Sequence, residues 1–226
     1  MRTEGITTVS VEVVHIEVES GRGDTVTKIW RGLLAGFFIS ILIFAGVWFL
    51  AAVLPHKTGS PFAPVREFCE WLAGTSVGRG ILESALTFPI IEGLHLIGIA
   101  LSIGVLCWFD LRLLGVALTD VPVSRVWKQV MPVSIIGFAL VFGTGFLLFW
   151  AEAVTAYASL HFWIKVGLIV LAGVNAAYFE FVTHPGIVAW DNDRVPPLAA
   201  RMSGLLSLIF WTAIIITGRT MAYSFS

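Results

Sequence analysis

The residues that could do chemistry in this sequence are charged and imidazole side chains inside otherwise apolar stretches. Lys165 is the one cation within residues 161–179, which are almost entirely apolar. Glu92 and His95 lie one helical turn apart in another apolar stretch. A charged group is costly in lipid, so such residues usually face a partner, a cavity or a cofactor. These residues therefore mark a candidate site.

His95 has the side chain best suited to bind a metal-centred cofactor. A neutral imidazole in a helical bundle is a common axial ligand of haem b, and its second ring nitrogen usually bonds a nearby oxygen. We therefore expect His95 to bind haem iron and Lys165 and Glu92 to act in catalysis. Lys165 would serve a haem propionate, a quinone oxygen or a catalytic proton. His161 and Arg219 are expected to add further cofactor contacts.

Purely structural roles are the competing interpretation of the same side chains. His95 would then make only an interhelical hydrogen bond, and Lys165 would form a buried salt bridge with Glu92 or Glu152. Both fates are common for polar residues inside membrane helices. The sequence leaves them open.

A di-iron centre is a third interpretation, because Glu92 and His95 have the Glu-x-x-His spacing of carboxylate-bridged metal bundles. Such a centre needs a second pair of the same kind on the same side of the bundle. The nearest candidate, Glu180 with His184, is spaced by four residues and is expected at the opposite face. The number of ligands therefore argues against di-iron.

The composition of the 226 residues is that of a membrane protein. Hydrophobic residues make up 57% and charged residues 13%, and the mean hydropathy is +0.89. A soluble domain has about 25% charged residues. The net charge of −1 and the lack of a long basic run argue against a nucleic-acid partner. Cys69 and Cys107 are expected to be unpaired.

Five apolar stretches predict an all-α integral membrane bundle of five transmembrane helices, with the lipid bilayer as its surroundings. Pro132 is expected in the first turn of the third helix, and nearby glycines should let helices approach closely. The predicted spans are residues 33–54, 87–114, 130–151, 161–179 and 202–218, and the glycines are Gly137, Gly143 and Gly145. Together they make residues 29–226 one transmembrane domain.

Two segments outside these spans have patterns of their own. Residues 64–72 place Val65, Phe68 and Leu72 at helical spacing, which predicts a short interfacial helix that covers the outer end of the bundle. Residues 1–28 form a predicted cytoplasmic tail. Within it, residues 7–19 alternate valine with polar residues, as a strand does.

The flanking Lys and Arg residues predict the orientation, because they are retained on the cytoplasmic side. Most of the 14 Lys and Arg residues fall in inner segments if the N-terminus is cytoplasmic and the C-terminus periplasmic. The expected location is the bacterial inner membrane, with the protein crossing it several times. The polar groups then divide into an outer set around His95 and Lys165 and an inner set at helix ends. The inner set should be solvated anchors and salt bridges, such as Asp110 with Arg112 or Lys128.

Three blocks of sequence resemble a family of uncharacterised multi-pass bacterial inner-membrane proteins, over roughly residues 70–223. They are IEGLHLIGIALSIGVLCWFDLRLLG (residues 91–115), FWIKVGLIVLAGVNAAYFE (residues 162–180) and ARMSGLLSLIFWTAIIITGRTMAY (residues 200–223). This family implies a membrane bundle and no particular activity.

A second resemblance rests on His95 followed by an apolar helix that ends in Arg112, with Lys165 near the start of a later helix. This pattern is similar to the bacterial membrane-bound protoporphyrinogen oxidase family and to the copper-resistance D family. In the oxidase family a histidine and a lysine at such positions are associated with haem binding, which the resemblance implies for His95 and Lys165. An extra N-terminal span, and Asn175 and Ala176 where a histidine is expected, depart from the pattern.

Two classes of function follow from these observations. The first is a haem b-binding membrane redox protein, an oxidoreductase component that exchanges electrons with a quinone or with a membrane or periplasmic protein partner. The alternative is a non-catalytic subunit or assembly factor of a larger membrane complex, docked through the N-terminal tail and small-residue helix faces. Copper transport is disfavoured, because the chain has only four Met and two Cys as soft ligands.

Overall fold

The computed structural model of the protein describes residues 63–223, and this part of the chain consists of helices and their connecting loops. In chain order the helices are α1 (Ala63–Gly74), α2 (Ser76–Glu83), α3 (Thr87–Leu114), α4 (Val123–Ala151), α5 (Ala153–Ala158), α6 (Leu160–Ala189) and α7 (Leu198–Tyr223). Four of them, α3, α4, α6 and α7, are long and apolar enough to cross a membrane. The predicted span over residues 33–54 and the tail over residues 1–28 lie outside the described residues.

Three of the four spans, α4, α6 and α7, are longer than predicted. α4 begins at Val123 because Asp191 accepts hydrogen bonds from the Ser124 amide at 2.7 Å and from the Ser124 hydroxyl at 2.8 Å. Such bonds satisfy the free amides of a first helical turn. Pro132 therefore lies inside α4, and its predicted place in the first turn is wrong. α6 continues to Ala189 through a π-helical and then a 3-10 segment.

α3 and α4 approach each other closely at Gly137. A Cβ atom added there would overlap the backbone nitrogen of Ser102, so glycine is required at this contact, in the way predicted for small residues. Ser102 belongs to a π-helical turn of α3 (Ala100–Gly104), and the Ser134 hydroxyl donates to its carbonyl oxygen at 3.3 Å. Among the described residues nothing lies within 4 Å of a Cβ atom added at Gly143, so its small size does not serve the contact between α3 and α4.

The alternating helix directions give the bundle two ends. At the first, which we call the His95 end, α3 and α6 begin and α4 and α7 finish, and the stacked rings of Phe149 and Phe162 join α4 to α6. At the second, the Asp110 end, α3 and α6 finish, and Phe109 contacts Phe179 edge to face with centroids 5.4 Å apart. The His95 end is the one predicted to be outer.

The helix predicted over residues 64–72 is present as α1, which packs at the His95 end. Cys69 and Leu72 are its buried residues, whereas Phe68 is 45% exposed and therefore does not share their face. Trp150 of α4 donates to the Leu72 carbonyl oxygen at 3.0 Å. Burial raises the pKa of the Cys69 thiol to about 11, which keeps it protonated and unreactive. The position of α1 at a membrane interface stays a prediction.

A buried arginine closes the Asp110 end. Arg112 is 0% exposed, and its guanidinium donates to the carbonyl oxygens of Val121 at 2.8 Å and Asp193 at 2.9 Å. These bonds join the loop after α3 to the loop after α6. The predicted salt bridge of Arg112 with Asp110 is wrong, because Arg112 binds carbonyls and Asp110 accepts a hydrogen bond from Ser207 at 2.7 Å.

Candidate functional site

His95 lies on α3 and is partly buried. Its Nδ1 is 2.9 Å from Oγ1 of Thr144 on α4. The Thr144 hydroxyl has one hydrogen and donates it to the Leu140 carbonyl oxygen at 2.6 Å. With that hydrogen on Leu140, Thr144 accepts from His95, and in this tautomer Nδ1 carries the hydrogen and Nε2 of the neutral ring keeps its lone pair. This is the interhelical hydrogen bond of the competing, structural interpretation of His95.

Gly145, the residue after Thr144, leaves room for the imidazole ring. A Cβ atom added at Gly145 would lie 3.1 Å from Cε1 of His95, so the ring rests against the bare backbone of α4. Thr144 was not recognised in the sequence, and Gly145 was predicted only as a packing residue. The sequence feature that indicates this contact with the imidazole is a hydroxyl residue followed directly by a glycine inside an apolar helix.

Lys165 lies in the first part of α6 and is partly buried. Its Nζ would be 3.3 Å from a Cβ atom added at Gly218, so the side chain lies along α7. Within residues 63–223 its ammonium makes no ion pair and no hydrogen bond. The alternative of a salt bridge with Glu92 or Glu152 is therefore not formed in this structure. Lys165 is the charged group that acts on the His95 ring.

His95 and Lys165 approach each other without a broad contact between their helices. At the His95 end α3 packs chiefly on α4, and α6 packs chiefly on α7, so α3 and α6 do not form a main interface in the described part of the chain. Lys165 is nonetheless close enough for its charge to act on the His95 ring. Gly145 of α4 lies against the imidazole, and Gly218 of α7 lies against the Lys165 side chain.

Glu92 is partly buried one turn before His95, and its electrostatic neighbour is another acid. Glu152, in the turn after α4, has its pKa raised by burial and by the nearby Glu92 carboxylate. Glu92 is not among the charges that act on His95 or on Lys165. The structure thus groups Glu92 with Glu152 rather than with the two residues predicted to share its site.

The two remaining predicted site residues lie on the helices that hold Lys165. His161 is partly buried one turn before Lys165 on α6. Arg219 is exposed and follows Gly218 on α7, whose backbone Lys165 contacts. Both are therefore at the His95 end, close in sequence to the residues that position the lysine ammonium.

The Asp110 end holds polar groups that sequence reasoning placed in solvent. Asp110 is 4% exposed and Glu180 is 5% exposed, so neither is a solvated anchor. Glu180 lies 3.6 Å from His184 one turn later. On α7, Ser203 and Ser207 are buried one turn apart. Two hydroxyl residues at this spacing in an apolar helix indicate that polar groups of neighbouring helices pack against them.

Metal ligands do not gather in the part of the chain that the structure describes, where no three His, Cys, Asp or Glu side chains could hold one ion. A haem iron needs only one or two protein ligands, and a single imidazole with a fixed tautomer supplies the first. The His95 end has that imidazole, so its residues fit a haem better than a multi-ligand metal ion.

Four apolar helices around a few buried polar side chains define a helical membrane protein of several spans. Residues 68–224 match the family of unknown function DUF6644, and the chain belongs to that family. No curated protein and no solved structure matches the chain. The predicted resemblance to an uncharacterised family is thus confirmed, whereas the more distant likeness to the oxidase and copper-resistance families gains no support.

Proposed function

We propose that this protein is a haem b-binding membrane redox protein with its cofactor at the His95 end. The observation that carries the proposal is the Thr144 hydrogen bond, whose geometry favours the His95 tautomer in which Nε2 keeps its lone pair. Haem-ligating histidines generally donate their second ring hydrogen to an oxygen in this way. When bound, the haem would supply one-electron exchange at its iron.

The other residues of this end would orient the reacting groups. An ammonium that lacks an ion pair among the described residues favours an anionic or carbonyl oxygen beside it, such as a haem propionate or a quinone oxygen. Lys165 is therefore the proposed electrostatic partner. His161 and Arg219 are proposed to contact the cofactor from the same helices. Glu92, beside Glu152, is proposed to take up or release the proton that accompanies electron transfer to a quinone.

The proposed location is the bacterial inner membrane, with five spans, a cytoplasmic N-terminus and a periplasmic C-terminus. The distribution of Lys and Arg in the flanking segments supports it. Under this topology the His95 end faces the periplasm, where a protein partner could exchange electrons. Reporter fusions at Ser226 test the orientation, since a cytoplasmic C-terminus would reverse the two ends.

The absorption spectrum of the purified protein from haem-replete cells, oxidised and dithionite-reduced, tests the proposal directly. We expect a Soret band that His95→Ala abolishes, because the change removes the imidazole lone pair that would bind the iron. His184→Ala, at the opposite end, is the matched control and should keep the band. Lys165→Ala should also keep the band, because a lysine must lose its proton, with an unperturbed pKa of about 10.4, before it can bind iron. The loss of the nearby positive charge should change the midpoint potential of the haem. Loss of haem in Lys165→Ala with retention in His95→Ala would reverse the assignment.

The hydrogen bond from His95 can be tested apart from the iron ligand itself. Thr144→Val removes the acceptor with little change of volume and should weaken haem binding about 10-fold to 100-fold, the usual effect of losing such a partner. Thr144→Ser keeps the acceptor and should bind as the unmodified protein does. A colourless protein from haem-replete cells would overturn the proposal and favour the alternative, a non-catalytic subunit or assembly factor.

A further inference from the structure

The Asp110 end contains a buried carboxyl group that the proposed function does not use. Asp110 lies on α3 within a segment apolar enough to cross a membrane, and it is 4% exposed. The Ser207 hydroxyl of α7 donates to its Oδ2 at 2.7 Å. Among residues 63–223 no cation forms an ion pair with Asp110.

The charged groups on the elements around Asp110 are engaged elsewhere or exposed. Arg112, two residues along α3, gives its hydrogens to the carbonyls of Val121 and Asp193. Arg125 and Lys128 on α4 and Arg201 on α7 have exposed side chains. On α6, Glu180 lies beside His184, and Cys107 is the neighbouring titratable group on α3 itself. A carboxylate here would therefore be a buried anion without a counter-ion in the described residues.

Close packing keeps the hydroxyl of Ser207 in place. A Cβ atom added at Gly204 would lie 2.9 Å from the Asp110 carbonyl oxygen, so α7 lies directly against α3 at this level. Ser203, one turn before Ser207, exchanges hydrogen bonds with Asn175 of α6 at 2.9 and 3.2 Å. The two serines thus extend a polar seam from Asp110 across α7 to α6, within an otherwise apolar core.

We propose that Asp110 is a proton-binding site that exchanges with the aqueous phase at the Asp110 end. An unpaired carboxylate in a low-dielectric interior costs several kcal/mol, and taking up one proton removes that cost without any change of redox state. Ser207 already donates to Oδ2, so the proton belongs on Oδ1. The bound species is then a neutral carboxylic acid at neutral pH. This inference does not depend on a haem.

Infrared spectroscopy of the full chain in lipid nanodiscs at neutral pH tests the proposal. The unmodified protein should show a protonated-carboxyl C=O band that shifts in D₂O, and Asp110→Asn, which keeps the shape of the side chain, should remove it. Ser207→Ala should keep the band but move it to higher frequency, because the carbonyl loses its hydrogen bond. Asp120→Asn, at an exposed residue bonded to Arg194, is the matched control and should leave the band unchanged.

Two outcomes would overturn the proposal. A carboxyl band that is the same with and without Asp110→Asn would show that Asp110 is ionised. A band that appears in choline chloride and disappears in sodium chloride would make Asp110 a monovalent-cation site instead. The measurement needs no haem, so it can be made equally well on a colourless protein. A haem-containing protein that lacks the carboxyl band would contradict the proposal for Asp110 and leave the assignment of His95 unchanged.

Discussion

Each end of the bundle contains a cationic side chain inside the helical core, and the two side chains have different surroundings. At the Asp110 end, Arg112 is completely buried and gives hydrogen bonds to two carbonyl oxygens of distant loops. At the His95 end, Lys165 is partly buried and has no ion pair or hydrogen bond within the described residues. Breaking the interactions of a buried charged group is strongly destabilising, whereas a charged group without a partner in a membrane bundle usually marks a functional site. The comparison indicates a structural role for the Arg112 guanidinium, and the Lys165 ammonium remains the cation of the proposed site.

The largest effect is expected from Arg112→Ala. The change removes two hydrogen bonds from a charged group and leaves two loop carbonyls without their donor, which should lower the free energy of unfolding by about 3 kcal/mol. Unfolding in mixed micelles of a mild detergent and dodecyl sulfate measures it. Arg125→Ala, at an exposed position, should change stability by less than about 0.5 kcal/mol. Equal stability of the two variants would show that the guanidinium does not hold the loops.

A glycine at each end sharpens the contrast. Gly204→Ala directs a Cβ at the backbone of α3, 2.9 Å from the Asp110 carbonyl oxygen, and should cost about 2 kcal/mol because backbone cannot turn aside. In Gly145→Ala the added Cβ would lie 3.1 Å from the His95 ring, and this ring can rotate away. The variant should therefore lose bound haem while its stability changes little.

Gly143→Ala is the control for both glycine variants, since no residue in the described part of the chain lies within 4 Å of its added Cβ. Unfolding and the haem-to-protein ratio are measured on the same samples. A Gly145→Ala protein that loses stability but keeps its haem would contradict the assignment of this end to cofactor binding.

Lys165→Met should act in the opposite direction to Arg112→Ala. Replacing a buried ammonium that has no described partner by an apolar side chain of similar length should stabilise the haem-free protein, by about 1 kcal/mol. Lys128→Met, on an exposed part of α4, should be close to neutral. Destabilisation by Lys165→Met would mean that the ammonium has a structural partner, and the comparison between the two cations would fail.

The smallest effect concerns the acid pair at the His95 end. Burial and Glu92 raise the pKa of Glu152 in the folded protein above the ordinary value of about 4.3. As pH rises through that ordinary value, the unfolded chain ionises before the folded one, so the stability of the unmodified protein falls. Glu152→Gln should therefore unfold at a higher temperature at neutral pH, and the difference should vanish below about pH 4. Thermal unfolding across this pH range measures it, and a difference that grows on acidification would contradict the sign.

The sequence predicted the helices well because apolar length determines them. The span over residues 87–114 has the predicted bounds, while the start of α4 was missed because it depends on Asp191, 67 residues from the Ser124 amide that it caps. The same limit applies to the sites. Lys165 and His95 could be recognised as polar residues in apolar helices, but the residues that contact them could not be predicted.

Partners that lie far apart in the chain explain the remaining errors. Asp110 was expected to pair with a cation nearby, and its actual partner is Ser207, 97 residues later. Glu92 was expected beside Lys165, yet the turn after α4 brings Glu152 to it. Spacing along one helix shows which groups share a face, and only the packing of helices decides which groups on different helices meet.

The clamp made by Arg112 also sets an order for assembly of the protein during synthesis. One of its acceptors, Val121, follows within the same hairpin, but the other, Asp193, is made only after α6 is complete. In a nascent chain that has inserted only α3 and α4, the Arg112 guanidinium therefore still lacks its second acceptor, the Asp193 carbonyl oxygen. The Asp110 end closes last, after the hairpin of α6 and α7 has begun to form. Chains truncated before Asp193 would present that unfinished surface to the proteases that survey the membrane.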